Sequence, residues 1–261
     1  MQNVRALLKT HNPPLIRDAI CETHGAYNSL CHLQGVWLGC PTCHTEAKHL
    51  AVQQEAAEQA KARAAAWQAR IGRAGIPDRF LDRSLKNFVA TTNEQRVALE
   101  FAIRYAEQFE EVRRTGRSAL FIGLPGTGKT HLACGIGMHV IEHFCADVLF
   151  ITVQRAIRSV KDTWTKGAAQ SETEAVATLV SPDLLILDEV GVQNGTDFER
   201  NTLFDVINER YERRKPTLYL SNLPKDEVAT YLGARVMDRV REDGGKVVAF
   251  TWESHRGKVR L

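Results

Sequence analysis

The residues that could do chemistry fall into two groups along the 261-residue chain. The first is Gly123-Leu124-Pro125-Gly126-Thr127-Gly128-Lys129-Thr130, which fits G-x-x-x-x-G-K-[ST]. Such a loop binds phosphate, because glycines let successive backbone N–H groups face one anion while the following helix presents its positive end to the same point. Lys129 is expected to bridge the β- and γ-phosphates of ATP, and the Thr130 hydroxyl to hold Mg²⁺. His131, directly after the motif, is counted with the nucleotide-binding positions. Four fixed positions of this kind arise by chance in roughly one chain in a hundred of this length, so a bland Gly-rich turn is the weaker reading. The run Leu184-Leu185-Ile186-Leu187-Asp188-Glu189 supplies the acidic partner. An apolar strand running straight into two carboxylates sets them at the carboxyl edge of a sheet, where ligands of open α/β sheets bind. Asp188 would reach the Mg²⁺ and Glu189 would polarise the attacking water, although alone this pair could be an ordinary strand end.

The second group is Cys21-x-x-His24 and Cys40-x-x-Cys43, two pairs separated by 15 residues. Two residues between ligands let one tight turn offer both side chains to one ion, and two such turns make a tetrahedral zinc site. Cys31, His32 and His44 are spare candidates, with Cys31 in place of His24 left open. A redox pair at Cys40/Cys43 and a packing role are the rival readings; a catalytic zinc is disfavoured because four good ligands close the shell.

These groups need elements to hold them. With 44% hydrophobic and 25% charged residues the composition is that of a globular protein, which excludes disorder along the whole length. A net charge of +3 excludes binding by bulk positive charge, and residues 1–75 carry the whole excess, with 8 basic against 5 acidic side chains. Four of the six cysteines fall within residues 21–43, a clustering that points to metal rather than disulfides. No run has the length and apolarity of a membrane-spanning helix and residues 1–16 lack a signal-peptide core, so a reducing cytoplasm is the expected compartment and no membrane partner is expected.

Residues 1–20 read as a short polar lead. From Thr45 to Arg73 an Ala-, Gln-, Glu- and Lys-rich stretch without Gly or Pro predicts one long helix with a thin apolar stripe, closed by Gly72, Gly75 and Pro77. Apolar runs at 118–122, 147–152, 184–187, 217–220 and 246–251, with a helix over 129–144, predict a parallel α/β sheet. The expected organisation is therefore a zinc-binding module over 1–44, a helical linker over 45–75 and a P-loop NTPase domain over 76–261, its parallel sheet flanked by helices.

The runs GLPGTGKTHLA, LLILDEVGVQ, LYLSN and GARVMDRVRE, in this order, with WESHR beyond them, resemble the AAA+ ATPases of the bacterial DnaC type over roughly residues 75–261. These proteins load the replicative helicase onto DNA. Asn222 resembles the sensor-1 polar residue that orients the water. Arg239, with Arg235 four residues earlier, resembles the trans-acting arginine finger, which implies a homo-oligomer; the bland alternative is a solvated face paired with Asp238 or Glu242. Arg256 resembles the sensor-2 arginine on the γ-phosphate. The Cys/His cluster departs from DnaC and is nearer to loaders of the DnaI kind and phage relatives, which suggests phage or prophage origin.

For nucleic acid, Lys161 and Trp164, with Lys166, suit stacking on single-stranded DNA, or Trp164 packs against the next helix. The basic run Arg210, Arg213, Arg214 and Lys215 reads as a solvated face. The expectation is thus an ATP-hydrolysing helicase loader that uses ATP, Mg²⁺ and Zn²⁺ and contacts a replicative helicase and single-stranded DNA. The rivals are a transposition helper ATPase of similar core, a zinc-domain protein unfoldase and a nucleotide-gated DNA clamp. The unfoldase is weak because Trp164-Thr165-Lys166-Gly167 does not fit an aromatic-hydrophobic-Gly pore loop.

Overall fold

The computed structural model describes residues 15–33, 35–192 and 196–255. The chain forms two compact units, residues 1–65 and 66–261.

In the first unit, β1 (Leu15–Cys21) and β2 (Gly25–Leu33) form an antiparallel hairpin in which Cys21 faces Gly25 and Leu15 faces Cys31. A short β3 (Val36–Trp37) pairs back onto β2 across an irregularity between Cys31 and Leu33. The segment read as a polar lead thus contains a strand: Leu15-Ile16 and Ala19-Ile20 straddle Arg17-Asp18, so neither face carries an apolar run, and only pairing with β2 organises it. Helix α1 (Pro41–Ala74), which belongs to the second unit from residue 66 onward, starts four residues before the expected Thr45, with Pro41 at the first helical position, where its missing N–H costs nothing. Among its described residues this unit buries only Ser29, Cys31 and Cys40, and leaves Leu15, Ile16 and Ile20 exposed.

The second unit is built on a five-stranded parallel sheet of order β5-β6-β7-β4-β8. Its strands are β4 (Ala119–Gly123), β5 (Val148–Thr152), β6 (Leu184–Asp188), β7 (Thr217–Ser221) and β8 (Lys246–Phe250). Both faces are covered, which is why the strands read as unbroken apolar runs. On one face Phe121, Ile186, Leu218 and Phe250 pack with α2 (Asn93–Glu107), α3 (Phe109–Thr115) and α4 (Lys129–Phe144). Trp67, Ile71 and Ala74 from the last turns of α1 join this core, so the thin stripe of that helix ends as a packing face. On the other face Leu120, Leu185, Leu187 and Tyr219 pack with α5 (Val153–Lys161), α6 (Glu172–Val180), α7 (Asp197–Glu212), α8 (Lys225–Leu232) and α9 (Ala234–Arg241).

The basic run corrects one expectation. Arg210 is not solvated but 1% exposed. Its guanidinium donates to the carbonyls of Leu179, Val180, Pro182 and Pro216 and to the Thr217 hydroxyl, and so closes the C-terminal end of α6 onto the start of β7. Desolvation pulls its pKa down to about 10, still well above neutrality, so it acts as a buried cation satisfied by carbonyl dipoles.

Candidate nucleotide and zinc sites

Strand β4 ends at Gly123 and α4 starts at Lys129, so the phosphate loop is the whole connection between them. Two glycines are obligatory by geometry. Gly123 sits at φ +147° with its missing Cβ 2.2 Å from the Phe250 carbonyl oxygen, and Gly128 at φ +98° with its missing Cβ 2.6 Å from the Phe88 ring. Lys129 is buried and its ammonium donates to the carbonyls of Gly123 and Leu124 at 2.6 and 2.9 Å. The Thr127 hydroxyl donates to Leu124 O at 2.8 Å.

Because β7 lies between β4 and β6, the sheet order brings three strand ends to one edge. Thr130 Oγ1 on α4 lies 3.2 Å from Asp188 Oδ2 at the end of β6. Asn222 follows β7 directly. Glu189 adopts a left-handed backbone at φ +61°, uncommon without glycine, and its N–H caps Asp188 Oδ1 at 2.8 Å. The next residue is stitched to β7 on both sides: Val190 N–H donates to Leu220 O at 2.9 Å, and the Ser221 hydroxyl donates to Val190 O at 2.7 Å.

These residues open on a cleft of about 540 Å³ lined by Pro125, Gly126, Gly128, Lys129, Thr130, His131, Asp188, Glu189 and Asn222. Burial raises the Asp188 pKa, against the opposing pull of the Glu189 N–H, the Thr130 hydroxyl and the Lys129 charge. A carboxylate lifted by desolvation beside a hydroxyl oxygen is a donor pair suited to a small hard cation such as Mg²⁺. The opposite wall escaped the sequence reading, since Phe80, Asn87, Phe88 and Val89 carry no motif. His131 ties that wall to α4: its Nε2–H reaches both Ser84 O at 3.0 Å and Asn87 Oδ1 at 2.9 Å, while burial lowers its pKa. Arg256 lies outside the described residues; His255, just before it, lines the cleft.

Arg239 and Arg235, on α9, are not among the residues lining the cleft. The partners of Arg239 are on α7: it donates to Asn208 Oδ1 at 2.6 Å and lies 4.3 Å over the Tyr211 ring, whose hydroxyl donates to Glu242. Arg235 lies over the Phe204 ring. Trp164 is 59% exposed but tethered, its indole N–H donating to Glu172 Oε2 at 2.9 Å and its ring meeting Phe198 edge-on. Lys161 lies 5.3 Å over that same Phe198 ring.

In the first unit, Cys21 ends β1, His24 sits in the hairpin turn, Cys40 precedes α1 and Cys43 lies in its first turn. Their four donor atoms lie within 4.8 Å of one another, the one such cluster of cysteine, histidine or carboxylate ligands among the described residues. The individual separations are 3.4 Å for Cys21–Cys43, and 3.8, 3.7 and 3.2 Å from His24 Nδ1 to Cys21, Cys40 and Cys43. Zinc bonds of about 2.0–2.3 Å arranged tetrahedrally give edges of roughly 3.3–3.8 Å, so the four donors are close enough to converge on one zinc ion. Backbone N–H groups of His24 and Thr23 pull the Cys21 thiol down to about 6, and those of Cys43 and Thr42 lower Cys40. Cys43 is instead pushed up to about 11, chiefly by the hydrogen bond it shares with Cys21, because three sulfurs this close do not all ionise without a cation. Glu46 was not foreseen: its carboxylate takes His24 Nε2 at 3.1 Å, leaving Nδ1 to face the sulfurs. Cys31 and His44 stand outside the cluster, and the side chain of His32 lies outside the described residues.

Residues 106–260 match the model of the IstB-like ATP binding protein family. The chain is 34% identical over 227 residues to the replicative helicase loader DnaC of Escherichia coli (strain K12), covering 84% of this chain and 90% of that protein. The chain belongs to the IstB-like ATP-binding family. Within it, the DnaC of Buchnera aphidicola subsp. Schizaphis graminum is 35% identical over 190 residues, covering 73% and 76% of the two chains. The crystal structure of the DnaC helicase loader superposes with a TM-score of 0.59 at 23% identity, over 66% of this chain and 99% of that one. That of DnaI gives 0.56 at 22%, over 69% and 94%. The second unit is thus an AAA+ ATPase fold of the DnaC type, as the motif order implied. No helix among the described residues is long and apolar enough to cross a membrane.

Proposed function

We propose that this chain is an ATP-hydrolysing loader of a replicative DNA helicase. The observation that carries the reading is the convergence of Lys129, Thr130, Asp188, Glu189 and Asn222 on one cleft, in a chain similar to DnaC loaders over most of its length. Lys129 exchanges its two loop carbonyls for the β- and γ-phosphates, Thr130 and Asp188 hold the Mg²⁺ that offsets phosphate charge, and Glu189 and Asn222 orient and polarise the attacking water. Gly123, Pro125, Gly126, Thr127, Gly128 and His131 shape and back the phosphate cradle, with Arg256 reaching the γ-phosphate from the same subunit. Arg239, prearranged by Asn208 and Tyr211 away from its own cleft, completes the site of a neighbouring subunit as an arginine finger, so activity requires a homo-oligomer. Cys21, His24, Cys40 and Cys43 hold a structural zinc that folds the first unit, which docks on the helicase. Trp164, braced on Phe198 with Lys161 above the same ring, offers an exposed indole face to a base of single-stranded DNA.

The test is capture of the host replicative helicase by the full chain with ATP, Mg²⁺ and zinc present; no capture under those conditions overturns the loader reading. Turnover separates its parts. Glu189→Gln and Arg239→Ala are each expected to lose about 100-fold or more in kcat, the scale of removing one preorganised transition-state contact. Mixing the two variants is expected to restore part of the rate, and no restoration removes the trans-acting finger.

A further inference from the structure

The outer side of the phosphate loop is built by residues that the nucleotide chemistry leaves unused. A loop that turns its N–H groups inward must turn its carbonyls outward, and buried carbonyls need donors. Two of those donors come from the segment after β8. The Trp252 indole Nε1–H donates to the Thr127 carbonyl at 2.9 Å, and the His255 backbone N–H donates to the Gly126 carbonyl at 3.0 Å. Trp252 is 8% exposed and packs on the Phe250 ring at 4.9 Å; the Phe250 carbonyl in turn occupies the space a Cβ at Gly123 would need.

A trans peptide unit is planar, with C=O and the following N–H pointing in opposite directions. Holding the Thr127 carbonyl outward therefore holds the Gly128 N–H inward, and holding the Gly126 carbonyl does the same for the Thr127 N–H. We propose that Trp252 is a positioning residue for nucleotide binding, and that residues 252–255 form the outer wall of the phosphate cradle. Docking of this segment and occupation of the cleft are then coupled, since each orders the same peptide units.

The inference rests on the ATP-binding reading, and the experiment keeps the two apart. Mg²⁺-ATP is titrated calorimetrically into the full chain and into Lys129→Ala, Trp252→Phe and Trp67→Phe. Absence of binding by the natural chain, or full binding by Lys129→Ala, strikes the ATP reading itself. Trp252→Phe keeps an aromatic ring against Phe250 and removes the indole donor together with some ring volume, and Trp67→Phe repeats that volume change where no donor bond is lost. Trp252→Phe is expected to weaken ATP affinity about tenfold, the scale of one buried acceptor left unsatisfied, and to raise KM for ATP more than it lowers kcat. Trp67 is the control, because its buried indole N–H has no hydrogen-bond partner among the described residues; Trp67→Phe is expected to bind as the natural chain does. A merely structural role for Trp252 would lower the thermal midpoint while leaving affinity within twofold, and that result overturns the proposal. As a second measurement, a chain keeping Trp252 as its sole tryptophan should change emission when ATP is added, and an unchanged spectrum counts against the coupling.

Discussion

The two units solve the same problem with different means. Residues 66–261 bury both faces of a five-stranded sheet, with Phe109, Phe121, Leu132, Ile186 and Phe250 sealed from solvent. The first unit has almost no buried apolar side chain among its described residues, exposes Ile16 at 63% and Ile20 at 85%, and gathers four donor atoms at the junction of hairpin and helix. A segment too short to close a core would gain its order from the proposed zinc shell, while a sheet of this size needs no metal and can give its polar residues to a ligand. The lesson is that polar groups are organised where the alternative source of order is missing: around the ligand cage in one unit, and at the open strand ends in the other.

The contrast can be broken most sharply at Cys40. Cys40→Ser is expected to abolish zinc in elemental analysis and to make residues 15–65 sensitive to limited proteolysis, because structural zinc supplies on the order of 10 kcal/mol or more of folding free energy in short segments. The thermal transition of the second unit should survive; its disappearance would mean that the two units do not differ in this way.

Arg210→Met probes the other side. It leaves four carbonyls in a dry site without their donor, at about 1–3 kcal/mol for each that stays unsatisfied. The second unit is expected to lose about 3 kcal/mol or more, lowering its Tm by roughly 10 °C in calorimetry. A shift under 2–3 °C would show that water replaces the guanidinium there.

Glu46→Gln has a smaller effect and sharpens the ligand assignment. Loss of the carboxylate behind His24 should weaken zinc affinity about 10- to 100-fold in a competitive chelator titration, and no change would remove Glu46 from the metal's support.

The smallest effect has the opposite sign. Burial raises the pKa of Asp188 above that of the unfolded chain, so its charged form costs stability at neutral pH, and the cost fades as pH falls through the folded value. Asp188→Asn should therefore raise Tm by a few degrees at pH 7, converge with the natural chain in acid and still lose Mg²⁺-dependent turnover. A lowered Tm at pH 7 would show that Asp188 is not strained by its surroundings.

Legibility followed the range of the interactions involved. The β4–loop–α4 unit and the apolar strands could be read directly, because anion binding by a loop and burial on both faces are written in consecutive residues. The paired cysteines and His24 could be read because two intervening residues make a turn. Arg210 was misread for the converse reason: as one of several nearby cations it looks solvated, and only the end of α6 and the start of β7, brought beside it, bury it. Strand β1 was missed because its pairing with β2, and not its own pattern, makes it a strand.

By itself the sequence named the residues that can hold a phosphate and a short set of metal-ligand candidates with Cys31 open in place of His24, since both depend on spacing along a few residues. Only the tertiary structure decided what stands behind them. Glu46 at His24, Trp252 at the Thr127 carbonyl and Asn208 with Tyr211 at Arg239 are each met across 22 to 125 residues of chain. Such pairings are set by sheet order and helix packing, because a hydrogen bond requires its partners within about 3 Å and leaves no periodic trace in the residues between them.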